Sequence, residues 1–230
     1  MKTIGLLGGM SWESTIPYYQ VINETVRAEL GGLHSAKILM YSVEFDELES
    51  RMRAARWDEC AAILADAAKR LEAAGADFIV ICTNTMHKLA PEIQAQITVP
   101  LLHIAEVTAQ RLKEADISKV GLLGTRYTMT QDFYKDVLVK AGIEVLIPEE
   151  EEEIERVNAI IFDELCVGIT REESRQALLR AIENLRNRGA RGVILGCTEL
   201  DMLVHPEDVE IPLFDTTILH AEAAARTALE

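Results

Sequence analysis

Three segments of this chain occur twice, in the same order. TIGLLGGMSWESTIPYY from Thr3 returns as KVGLLGTRYTMTQDFY from Lys119, with Gly5, Leu6, Leu7 and Gly8 on Gly121, Leu122, Leu123 and Gly124, and Tyr18 on Tyr134 without a gap. GADFIVICTNT from Gly75 returns as GARGVILGCTE from Gly189, and VPLLHI from Val99 returns as IPLFDT from Ile211. Such a repeat restricts the fold more than any single motif, because both copies must build the same supersecondary unit. Within the copies, short apolar runs alternate with longer amphipathic stretches. Residues 3–7, 36–43 and 77–82 read as strands. Residues 15–30, with Pro17 in the first turn, and residues 58–74, closed by Gly75, read as helices. This alternation predicts an α/β fold with mainly parallel sheet, built as two similar halves.

The register of the second segment decides which residues are equivalent. Gly75 on Gly189 and Ala76 on Ala190 put Cys82 against Gly196, Thr83 against Cys197 and Asn84 against Thr198. The two Cys-Thr pairs are therefore one residue out of step, and the mate of Cys197 is Thr83. Neighbouring strand residues point to opposite faces, so Cys82 is expected to face away from Thr83's side. In open parallel sheets, ligands bind beyond the carboxyl ends of the strands, where Thr83 and Cys197 both fall. Two groups flanking one small substrate suit removal of a proton from one face and delivery to the other, which is racemisation or epimerisation of a carbon acid. Cys197 is the expected base, since a thiol titrates near about 8.5 and falls further at a helix N-terminus or beside a cation. A threonine hydroxyl is a far weaker acid, so Thr83 is expected to donate or relay a proton rather than start as an alkoxide. Candidate substrate-binding residues are Asn84, Thr85 and Thr198 at expected helix N-termini, and Met10 and Thr128 in the loops after the first strand of each half. Arg51 is the first-choice cation for an acidic side chain.

Composition narrows the partners. The formal net charge of −15 over 230 residues argues against nucleic acid and anionic membrane surfaces. Cys60, Cys82, Cys166 and Cys197 form no CxxC pair and have no histidine at zinc-ligand spacing, so no metal is expected and the thiols read as reduced, in a cytoplasmic protein. Cys60, Cys82 and Cys166 read as small core residues. No signal peptide is apparent, and no run approaches the roughly 20 apolar residues of a membrane span. Residues 5–9 lack the GxGxxG spacing of a dinucleotide loop. The acidic run 149–153 reads as a solvated helix start. His87 reads either as a residue that orients backbone or as a core histidine.

TNTMH at residues 83–87 resembles the CNTxH motif, and GCTEL at 196–200 the GCTE motif, of the cofactor-independent aspartate/glutamate racemase family, in a YgeA-type member. GLLGGMSWEST resembles the family's opening segment, and the likeness runs through the whole chain. The resemblance implies two Rossmann-like three-layer α/β domains related by a pseudo-twofold axis, residues 1–104 plus 217–230 and residues 105–216, with the active site between them. It implies a homodimer, an amino-acid substrate, and two cysteines working without pyridoxal phosphate or any other cofactor. Here the first of those cysteines is Thr83, and the LCVG stretch around Cys166 lacks the lysine that family members selective for acidic substrates can carry. The expected activity is amino-acid racemisation, with aspartate and glutamate the first-choice substrates and a broader range the close alternative. A single-cysteine decarboxylase of disubstituted malonates and a catalytically inactive amino-acid binding module are the other two readings.

Overall fold

The computed structural model describes all 230 residues. In chain order the first elements are β1 (Thr3–Gly8), α1 (Trp12–Leu30), β2 (Lys37–Ser42), α2 (Phe45–Arg53), α3 (Trp57–Ala73), β3 (Phe78–Ile81), α4 (Ala90–Gln94) and β4 (Leu101–Leu102). Then come α5 (Ile104–Glu114), β5 (Lys119–Gly124), α6 (Arg126–Thr130), α7 (Asp132–Lys140), β6 (Glu144–Leu146), α8 (Glu151–Ala159), α9 (Glu172–Asn187), β7 (Val193–Gly196), β8 (Leu213–Asp215) and α10 (Thr216–Leu229). The strands form two four-stranded sheets, β2-β1-β3-β4 and β6-β5-β7-β8, with every pairing parallel. No helix is long and apolar enough to cross a membrane.

The chain divides into two compact units, Met1–Ile104 with His220–Glu230, and Ala105–Leu219. The returning segment of the first unit starts at His220 rather than at residue 217, because the first turn of α10 is tied to the second sheet. Asp215 Oδ1 accepts from the Thr217 and Ile218 amides, and Thr216 Oγ1 donates to the Leu195 carbonyl at 2.8 Å.

In the first unit, alternate residues of β1 and β3 (Ile4, Leu6, Phe78, Val80) join Cys82, with Tyr18, Ile22 and Val26 of α1 packed over them. Ala221, Ala224, Ala225 and Ala228 let α10 lie against the same core. Burying side chains of the Ile, Phe or Val kind contributes about 1.5–3 kcal/mol each. The second unit packs Val193, Leu195 and Cys197 against α8 and α9 through Ile154, Val157, Leu178 and Ile182.

Two local departures from the sequence expectation have clear causes. Helix α1 starts at Trp12 because Ser11 caps it, accepting from the Ser14 amide, while Thr15 Oγ1 donates to the Ser11 carbonyl at 2.9 Å. Pro17 therefore sits inside the helix, where it cannot donate to the Glu13 carbonyl. Asn84 and Thr198 do not start long helices. Asn84 directly precedes a 3₁₀ turn over Thr85–Leu89, and Thr198 stands before one over Leu200–Met202. So few peptide units sum to a weaker dipole than a full helix would supply.

The ladders fix the repeat independently of the sequence match. Gly5 pairs with Ile79, and its mate Gly121 pairs with Val193. Ile79 is therefore the mate of Val193, and four residues on Thr83 is the mate of Cys197.

Candidate active site

In the second unit, β7 ends at Gly196 and delivers Cys197 beyond its carboxyl end. The Cys197 thiol is buried and donates to Glu199 Oε2 at 2.9 Å. Thr198 Oγ1 donates to the same oxygen at 2.7 Å, and the Cys166 thiol approaches Glu199 Oε1 at 3.6 Å. One buried carboxylate thus collects a catalytic candidate, its neighbour and a second thiol. Sequence reading missed Glu199 and treated Cys166 as core. The signal available was an acidic residue directly after the Cys-Thr pair, but nothing local shows that its side chain turns back.

This cluster reverses the expected electrostatics. The sequence reading has Cys197 lowered by a helix N-terminus or a cation. Instead, burial first, then the Glu199 carboxylate and Cys166, push the thiol well above its ordinary range. A resting thiolate beside an ionised carboxylate is unfavourable. The hydrogen bond, however, gives the thiol proton a place to go.

In the first unit, β3 delivers Cys82 and Thr83. Cys82 is fully buried in the core under α1 and α10, and burial alone raises its thiol far from any reactive range. Thr83 lies beyond the ladder, buried like Cys197, and its amide turns back to the Ile81 carbonyl at 2.9 Å. His87 Nδ1 meets the Thr83 carbonyl at 2.7 Å. Of the two readings for His87, the geometry selects backbone orientation.

The remaining candidates divide. Asn84 and Thr85 follow Thr83 directly, and both are buried. Met10 is buried in the β1–α1 loop, where the Gly9 amide donates to Thr15 Oγ1 at 2.8 Å. Thr128 is wholly buried, and its amide and hydroxyl turn to Thr125 Oγ1 in the cap of α6. Arg51 is engaged as well. Its guanidinium holds Glu47 Oε1 at 3.0 Å, Glu59 Oε2 at 3.0 Å and the Glu47 carbonyl at 2.7 Å. A substrate carboxylate would have to replace one of those partners. Arg53 pairs with Glu49. No group of three or more His, Cys, Asp or Glu side chains is arranged to hold a metal ion.

Asp201, two residues beyond Glu199, carries a measurable cost. Burial, then Asp215 and Glu199, raise its carboxyl to about 6. A raised acid contributes stability that is complete below its ordinary value of 3.8 and lost as pH climbs through about 6. Asp201→Asn is uncharged throughout, so it is expected to stabilise the protein at pH 7.5 and to do little at pH 4. Partial solvent screening discounts the effect to about 1 kcal/mol. Urea midpoints at the two pH values measure it.

Two repeated parallel α/β units, whose equivalent strands β3 and β7 lead into Thr83 and Cys197, define the class as a doubled α/β protein. The chain belongs to the Asp/Glu/hydantoin racemase family, whose model matches residues 7–224. It is 28% identical over 229 residues to the broad specificity amino-acid racemase RacX of Bacillus subtilis (strain 168), covering 98% of each chain. Among solved structures it is 54% identical, with a TM-score of 0.93 over 100% of both chains, to "a putative Asp/Glu Racemase from Yersinia pestis". It is 37% identical, with a TM-score of 0.86 over 100% of both chains, to an aspartate racemase homologue from Pyrococcus horikoshii OT3. The protein is an enzyme of the racemase class.

Proposed function

We propose that this protein is a cofactor-independent amino-acid racemase in which Cys197 removes the α-proton of the L-enantiomer and Thr83 returns a proton to the opposite face. The observation that carries the reading is the ladder register, which makes Thr83 and Cys197 equivalent strand-end residues of the two repeats. Glu199 takes the proton from the Cys197 thiol, leaving a carboxylic acid and a thiolate. The thiolate then takes the substrate's α-proton and becomes a thiol again, and the carbanion takes the Thr83 hydroxyl proton. Proton return to Thr83 from solvent and release of the Glu199 proton restore the starting state.

Asn84, Thr85, Thr198 and the loop at Met10 hold the substrate's amino and carboxylate groups. Aspartate and glutamate are the first-choice substrates. The aspartate racemase homologue from Pyrococcus supports that choice, while the broad specificity of RacX supports a wider range. Arg51 would receive an acidic side chain by exchanging Glu47 or Glu59 for it, one carboxylate for another.

The deciding experiment is α-proton exchange in D₂O, followed by NMR, with both enantiomers of glutamate, aspartate and several neutral amino acids. Exchange of an L-amino acid together with appearance of its enantiomer supports racemisation. A site saturated with amino acids that exchanges none of them sinks it. Because the paired strand-end residues are one thiol and one hydroxyl, decarboxylation of a disubstituted malonate is the second reading, and carbon dioxide release from such an acid is measured alongside.

A further inference from the structure

We propose that His87 is the positioning residue of Thr83: one neutral imidazole holds the threonine's carbonyl with one nitrogen and the backbone at Ile104, where the chain leaves the first unit, with the other. The proposal rests on the reading of Thr83 as the opposite-face donor. Its geometry stands within the first unit alone.

The two contacts determine which nitrogen carries the hydrogen. The Thr83 carbonyl can only accept, so Nδ1 carries the hydrogen and donates at 2.7 Å. The Ile104 amide can only donate, so Nε2 carries none and accepts at 3.2 Å. Adding a second proton would set an N–H against an N–H. Burial first, then His103 and His220, hold His87 far below the usual histidine range against the opposing pull of the Thr83 and Leu102 backbone, so the ring is neutral. With both nitrogens engaged by backbone, His87 has no free site from which to pass a proton to the threonine hydroxyl. It positions Thr83 and does not relay to it.

A second latch lies beside the first. The His87 ring is 4.7 Å from that of His103 and 5.7 Å from that of His220, centroid to centroid. His220 is the first residue of the segment that returns to this unit. Its Nε2 donates to the Leu102 carbonyl at 2.9 Å, and its Nδ1 accepts from the Tyr18 hydroxyl at 2.9 Å. Both passages of the chain out of and into the first unit are therefore held by imidazoles.

The repeat shows that the fold itself does not require these histidines. The register that pairs Thr83 with Cys197 makes Asp201 the mate of His87. Ile79 pairs with Leu101 as Val193 pairs with Leu213, which makes Asp215 the mate of His103 and Thr108 the mate of His220. Tyr134, the mate of Tyr18, donates to that Thr108 hydroxyl at 3.2 Å. The scaffold thus closes in the second unit with two carboxylates and a threonine. There the Cys197 carbonyl is taken by a backbone amide, that of Leu200, at 3.2 Å. The side-chain latch belongs to the half that carries the hydroxyl. A weak acid delivers a proton usefully only from a closely held position, and a misplacement of about 1 Å costs on the order of 100-fold.

The test separates proton removal from proton return in one sample. Wild type, His87→Asn, His87→Gln and Thr83→Ala are followed in D₂O with L-glutamate and L-aspartate, recording α-proton washout and formation of the D-enantiomer. Asparagine places an amide N–H where Nδ1 lies and keeps the hold on Thr83. Glutamine places its amide where Nε2 lies and loses that hold. His87→Gln is expected to keep washout through Cys197, which also reports a folded site, and to lose about 10- to 100-fold in the ratio of D-enantiomer formed to proton exchanged. His87→Asn is expected to keep that ratio. If both His87 variants keep the wild-type ratio, or if washout and inversion fall in parallel in both, His87 does not position the donor and the proposal is overturned. If Thr83→Ala keeps the wild-type ratio, or if wild type exchanges neither substrate, the underlying reading fails first and the proposal falls with it.

Discussion

Cys197→Ser is expected to abolish α-proton exchange with every amino acid that wild type accepts, by at least about 10³-fold, within the range that loss of a positioned acid or base commands. The reason is chemical rather than steric. Serine keeps the size of the side chain and its hydrogen bond to Glu199, but its hydroxyl is far harder to ionise than a thiol. The proposed pair would then be two hydroxyls with no group able to begin. Enantiomers have equal free energy in water, so kcat/KM must fall equally in the L-to-D and D-to-L directions. Initial rates from both enantiomers, fitted separately, check this. Retained washout from the L-enantiomer would assign the base to another residue and remove Cys197 from the mechanism.

Glu199→Gln carries the second large effect, and here two observables are expected to move in opposite senses. The carboxylate raises the Cys197 thiol through its charge, after burial. Glutamine removes that charge, so the thiol titrates lower and iodoacetamide alkylates Cys197 faster at pH 8. Glutamine also cannot take the thiol proton, so kcat/KM falls by about 10²- to 10⁴-fold. If the carboxylate were only an electrostatic brake, alkylation and turnover would both rise. If Glu199 merely packed the loop, neither pH profile would shift. Faster alkylation with slower turnover is the signature of a residue that opposes the resting thiolate and yet accepts the proton that makes one. Cys166 shares the carboxylate through Oε1, so Cys166→Ala is the natural control for the second thiol.

Most of the architecture was legible because its signals are local. Strand and helix announce themselves by period, and the repeat supplied each half with a second copy against which to align. The misalignment of Cys82 and Cys197 was readable for the same reason. A strand alternates faces residue by residue, so a one-residue slip moves a side chain from one face of the sheet to the other. Cys82 under α1 and Cys197 on Glu199 are the two outcomes. The start of α1 was missed by three residues because the Ser11 cap that begins it at Trp12 lies upstream of the amphipathic stretch. The roles given to Arg51 and Thr128 were matched to chemistry that a ligand would need. The structure shows those side chains already engaged by Glu47, Glu59 and Thr125.

By itself the sequence determined the α/β class, the doubling of the unit and the pairing of Thr83 with Cys197, since each follows from spacing along the chain. The partners of those two residues were decided only by tertiary structure. Glu199 sits two positions from Cys197, yet its carboxylate reaches the thiol only through the turn that follows β7. His87 meets Ile104 from seventeen residues away, and His220 meets Tyr18 from 202 residues away, because α10 returns to the first core. Periodicity encodes which face a residue takes. It carries no information about which donor or acceptor folding brings to that face, and those donors and acceptors govern where the protons lie.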